Sequence, residues 1–131
     1  MATIRVLLAD DNPAMLSLLS DELSKEFSIA GTVANGEEAI REALRLDPDV
    51  LVLDITMPGL SGIQVASYLR DADCKTRILF LTIHEQAEYV SAAFSAGASG
   101  YVTKRRFGSD LPLAIRQVFE GLMFLSPSLR K

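Results

Sequence analysis

Five short apolar runs recur along the chain, and none shows the polar alternation of a strand with one wet face. They fall at 4–9, 27–33, 50–54, 78–82 and 100–104, separated by stretches with helical periodicity. Strands apolar on both sides need cover on both sides, which calls for a parallel sheet with helices packed on each face. Right-handed crossovers then leave few arrangements, and a five-stranded, doubly wound α/β domain fits best. A chain of 131 residues is long enough for one such core.

The stretches between the runs carry helix signals. Asn12 is placed to cap a helix with Pro13 in its first position and Met15, Leu16, Leu19 and Leu23 on one side. Asn35-Gly36 leads a second helix, with Glu37 and Glu38 favourably near its positive end. Ala39, Ile40, Ala43 and Leu44 form its apolar face, and Pro48 marks its end. A third helix is expected from about Gly62 to Arg70, and a fourth around Tyr89, Val90, Ala93 and Phe94. The last is the most regular, with Leu111, Ala114, Ile115, Val118, Phe119 and Leu122 on one face and Pro112 in its first turn. The domain is expected to occupy residues 1–125, with 126–131 the start of a linker or tail.

In a doubly wound sheet, the residues just past the carboxyl ends of the strands gather on one rim, where ligands bind. Here they are Asp10 and Asp11, Asp54, Thr82 and Lys104. Taken singly, an acid closing a strand is usually a loop residue or a helix cap, and Asp10 or Asp11 would help start the first helix. Four strand ends supplying three acids, a hydroxyl and an ammonium are a different matter. Clustered carboxylates repel unless a cation lies among them, and a hard divalent ion such as Mg2+ suits an open set of oxygens. Lys104 on the other side favours an anion. A phosphoryl group between metal and lysine satisfies both, with Thr82 hydrogen-bonded to it and Asp54 free to act as nucleophile.

The segments "LLADDNP", "VLDITMPGLSG", "ILFLTIHE" and "AGASGYVTK" occur in this order over residues 3 to about 125. In them the chain resembles a response-regulator receiver domain of bacterial two-component signalling. The resemblance implies a flavodoxin-like sheet with strand order 2-1-3-4-5 and makes Asp54 the phosphoacceptor, charged by a sensor histidine kinase or phosphotransfer protein. It implies that Asp11 and Asp54 ligate Mg2+ directly, Asp10 acts through a water, and the backbone carbonyl of Thr56 completes the protein ligands. Lys104 would pair with the phosphoryl oxygens. Thr82 and Tyr101 would form the switch, the aromatic swinging inward as Thr82 moves. Read alone, Tyr101 would be a half-exposed strand aromatic.

Finer features ("LTIHE", "AGASGYVTK", "GLMFLSPSL") resemble transcription regulators with LuxR-type, NarL-like output domains. His84 lies two residues after Thr82 and is expected to shape access rather than catalyse. Gly59 and Gly62 fit the loop after Asp54. Two departures stand out: Arg105 follows the lysine where many receivers have proline, leaving the isomer of that peptide open, and Ile83 follows Thr82 where many have a small residue. The chain is thus expected to be a phospho-accepting signalling domain, not an enzyme. An aspartyl phosphatase would place a second acid where Thr56 stands, and a flavin or nucleotide module would need a phosphate-cradling loop where "ADDNP" stands. The alternative is a stand-alone or non-phosphorylated pseudo-receiver acting as an interaction module.

Composition limits the partners. A net charge of −4, with only Lys104-Arg105-Arg106 and Arg130-Lys131 as basic clusters, disfavours nucleic-acid binding by this chain. DNA would be reached only through an output domain outside it, and a homodimer is possible. One cysteine, Cys74, cannot form an internal disulfide, and no signal or membrane-spanning segment is legible, so the expected location is cytoplasmic.

Overall fold

The computed structural model describes residues 3–130; residues 1, 2 and 131, which the expected domain boundaries include, lie outside the described residues. Strands β1 (Arg5–Ala9), β2 (Ser28–Val33), β3 (Val50–Leu53), β4 (Arg77–Thr82), β5 (Gly100–Thr103) and β6 (Phe124–Leu125) alternate with helices. These are α1 (Pro13–Leu23), α2 (Gly36–Leu46), α3 (Gly62–Asp71), α4 (Ala87–Ser95) and α5 (Phe107–Phe119). The six strands form one parallel sheet in the order β2-β1-β3-β4-β5-β6. The expected 2-1-3-4-5 core is present, extended by one strand at its far edge.

The lack of polar alternation has a direct cause. Alternate residues of the same strands enter two separate cores. Leu7, Leu51, Leu53, Phe80 and Tyr101 pack with Ala39, Ala43, Val65, Leu69 and Ala93 of α2, α3 and α4. Val6, Leu8, Val50, Val52, Leu79, Leu81 and Val102 pack with Leu19 and Leu23 of α1 and Leu111, Ala114, Ile115 and Val118 of α5. The predicted Asn12 cap is present, accepting from the amides of Ala14 and Met15, and Asn35 caps α2 by accepting from that of Glu38.

Several expectations are corrected. β6 was not anticipated, because two ladder residues within "GLMFLSP" are too few to show a period. The last helix runs from Phe107 to Phe119, so Pro112 lies inside it rather than in its first turn. Its missing amide leaves the Gly108 carbonyl without the usual partner. Gly121, at φ +89°, turns the chain out of the helix, leaving Phe119 and Leu122 exposed. Leu44 is likewise exposed, whereas Ala39 and Ala43 carry the buried face of α2. β2, an edge strand, is only half-buried. Residues after Leu125 are also held: Ser126 is fully buried and donates its amide to the Tyr101 carbonyl. Among the described residues no helix is long and apolar enough to cross a membrane.

Leu51, on the central strand β3, has no exposed surface and faces the α2–α3–α4 core. Leu51→Ala is expected to cost about 2–5 kcal/mol, seen as a lower urea midpoint at unchanged slope. Leu44→Ala, at a surface position, should stay within about 0.5 kcal/mol.

Candidate functional site

Register builds the site. Ala9 pairs with Leu53 across β1 and β3, so the next residues, Asp10 and Asp54, emerge side by side at the carboxyl edge. Thr82 pairs with Thr103 across β4 and β5, which brings Lys104 to the same edge. The Asp54 amide donates to the Ala9 carbonyl at 3.1 Å, fixing where its side chain begins. Lys104 Nζ lies 2.8 Å from Asp10 Oδ2 and 2.8 Å from Asp54 Oδ2. Asp10 and Asp54 are buried, whereas Asp11 is exposed.

The remaining carboxylate oxygens are also constrained. Asp10 Oδ1 accepts from the Asn12 amide at 2.9 Å, and Asp54 Oδ1 from the Ile55 amide at 2.7 Å. Behind Asp54 the loop folds tightly back, with the Gly62 amide donating to the Ile55 carbonyl at 2.7 Å. A Cβ on Gly62 would lie 2.0 Å from the Asp54 carbonyl oxygen, so only glycine fits there. Gly59 is needed for a different reason, its φ of +76°.

Burial desolvates the Lys104 ammonium and would lower its pKa, but its hydrogen bonds to Asp10 and Asp54 outweigh this and raise it. Lys104 thus stays charged between its two partners. One ammonium faces three carboxylates, since oxygens of Asp10, Asp11 and Asp54 all lie within 4.8 Å of one another. Two negative charges are left to balance, which matches a divalent cation. The donors are all hard oxygens gathered closely enough to share one ion, the set that Mg2+ prefers. The residues present therefore fit the ion.

Thr82 has no exposed surface; its Oγ1 lies 3.4 Å from the His84 amide that points to it. Tyr101 is not half-exposed. It is fully buried, and its hydroxyl donates to the His84 carbonyl at 2.7 Å, so the ring already occupies the inward position. His84 was expected to shape access, and the structure supplies contacts the sequence did not announce. Its Nε2 lies 3.0 Å from Thr56 Oγ1, and its ring stacks on Tyr89 at 4.1 Å between centroids and 15° between planes. Thr56 and His84 are 28 positions apart, so no local spacing could have joined them. Ile83 is largely exposed. The Lys104-Arg105 peptide is trans, since the described residues hold no cis bond, and Arg105 forms a two-pronged pair with Glu85 at 2.6 and 3.0 Å.

Comparison with known proteins gives a consistent result. The family model described as "Response regulator receiver domain" matches residues 6–116. The chain is 37% identical over 128 residues to the transcriptional regulatory protein YvfU of Bacillus subtilis, covering 96% of this chain and 64% of that protein. It is 34% identical over 126 residues to the nitrate/nitrite response regulator protein NarL of Escherichia coli, covering 95% of this chain and 58% of the relative. The chain thus spans about three fifths of the length of these curated relatives. Among solved structures, a LuxR-family two-component response regulator from Aurantimonas superimposes with a TM-score of 0.93 at 33% identity, covering 98% and 93% of the two chains.

The buried Tyr101 yields a test in alkali. Burial, and after it the Asp54 charge, push its phenol above the ordinary tyrosine range. The folded protein therefore binds this proton more tightly than the unfolded chain. Its contribution is complete below the ordinary pKa of about 10 and is lost as pH rises from there toward the raised folded value. Between about pH 10 and 11, stability measured by urea unfolding should fall more steeply in the unaltered protein than in Tyr101→Phe.

Proposed function

Because this chain belongs to the response regulator receiver family, we propose that it accepts a phosphoryl group on Asp54. The donor is the phosphohistidine of a sensor histidine kinase or phosphotransfer protein. A carboxylate oxygen of Asp54 attacks phosphorus, the phosphorus–nitrogen bond of the donor breaks, and its electron pair stays on the departing imidazole. The observation that carries the reading is the Lys104 ammonium held 2.8 Å from both Asp10 and Asp54, with Asp11 alongside.

Asp10, Asp11 and Asp54, with the backbone carbonyl of Thr56, are the residues that would hold Mg2+. When bound, the ion supplies positive charge that offsets the phosphoryl oxygens. Lys104 pairs with one of those oxygens from the opposite side, and the Thr82 hydroxyl donates to another. Thr82 and Tyr101 form the switch. Tyr101 is already inward, so phosphorylation favours one of two existing arrangements of the β4–α4 loop rather than creating a new one.

The protein is a signalling domain of the LuxR and NarL type. We take its receiver portion as residues 1–125, with 126–131 beginning the connection to an output domain. DNA binding belongs to that domain, and a homodimer formed in the cytoplasm would present it. This assignment is supported by the relatives, of which the chain spans about three fifths.

The test is a small acyl-phosphate donor with Mg2+, read by intact mass. One phosphoryl group should be gained, lost in Asp54→Asn, and withheld when a chelator removes the metal. The same gain in Asp54→Asn would refute the site. No gain in the unaltered protein under any condition would favour a non-phosphorylated interaction module.

A further inference from the structure

The region after Leu125 is anchored to β5 and α5 by Ser126, while Arg130 donates back to the Leu125 carbonyl at 2.7 Å. Ser126 has no exposed surface, and its hydroxyl has partners on two elements. It donates to Asp110 Oδ2 at 2.8 Å on α5 and accepts from the Thr103 amide at 3.2 Å on β5. The Ser126 amide donates to the Tyr101 carbonyl at 3.0 Å. Asp110 is a buried carboxylate whose other neighbours are the Ser109 hydroxyl at 3.2 Å and the Arg106 guanidinium at 3.7 Å. One serine therefore grips the residue immediately before Lys104 and the backbone of the buried aromatic two residues earlier.

We propose that Ser126, held by Asp110, is a joint that passes the state of the Asp54–Lys104 site to the segment Phe124–Arg130 through which the chain leaves the sheet. This rests on the receiver reading above. Lys104 is now shared between Asp10 and Asp54. A phosphoryl group on Asp54 moves the nearest negative oxygens outward, and the ammonium follows them. Thr103, one residue earlier, moves with it. Its amide reaches the Ser126 hydroxyl at 3.2 Å, the long end of the usual range, so a small displacement breaks this bond first. The Thr103 hydroxyl, buried without a partner, offers no substitute anchor for the strand end. Losing the bond leaves Ser126 held by Asp110 and the Tyr101 carbonyl alone, and loosens the short turn behind it, where the Leu129 amide donates to the Ser126 carbonyl at 2.9 Å.

The readout is hydrogen exchange at the amides of Phe124 and Leu129, with intact mass reporting phosphoryl on Asp54 in the same samples. Phosphorylation should speed exchange there by about fivefold, the worth of one ordinary hydrogen bond. Ser126→Ala should show the faster rate before any donor is added and then change by less than about twofold, while gaining its phosphoryl normally. Asp110→Asn, which keeps a carbonyl oxygen facing the hydroxyl, should respond as the unaltered protein does. A normal phosphoryl gain with unchanged exchange in the unaltered protein would overturn the joint and leave the receiver reading intact. So would a Ser126→Ala variant that responds as fully as the parent, or an Asp110→Asn variant that behaves like Ser126→Ala. Failure of the unaltered protein to gain phosphoryl would overturn both readings together.

Discussion

The Lys104 ammonium, wedged between two buried carboxylates on neighbouring strands, is the contact on which the rest of the rim is arranged. Charges inside a protein are costly unless each has a partner, and stripping one member from a buried pair generally costs about 3–5 kcal/mol. Asp10 and Asp54 are tolerated in their places because Lys104 arrives between them. Lys104 arrives because β5 is the fifth strand from the β2 edge, separated from β3 only by β4, and ends level with Thr82. The pairing is incomplete in charge, since one ammonium faces three carboxylates.

Much of this was legible in the chain because it depends on strand ends, and strand ends are marked by abrupt changes from apolar to charged residues. "VLVLD" and "VLLADD" announce both the burial and the chemistry. The two-sided cores follow from the same segments, since Leu7 and Leu8, or Leu51 and Val52, are neighbours in sequence that face opposite helices. What was not legible depends on contacts between distant loops. The Thr56–His84 bond, the His84–Tyr89 stack and the Arg105–Glu85 pair join residues whose spacing has no period. β6 fails for the opposite reason, being too short to have one. Phe119 and Leu122 satisfy a helical period that Gly121 cuts short.

Tyr101 illustrates how packing and function meet in one side chain. Its ring fills space beside Phe80, 6.2 Å between centroids, while its hydroxyl holds the loop that carries His84. The aromatic thus belongs to the larger core and to the rim at once. A change in the loop must either keep that hydroxyl bonded or leave a polar group buried without a partner, which confines the loop to a small number of arrangements.

The direction of β6 has a geometric outcome. A helix returning from β5 delivers the chain to the pole opposite the acids, but a strand parallel to β5 carries it back again. Ser128, Leu129 and Arg130 accordingly line a concavity of about 610 Å³ together with Glu85 of the loop beside the rim. The segment Ser128–Arg130 and the loop between β4 and α4 thus share the walls of one hollow, and whatever fills it touches both at once.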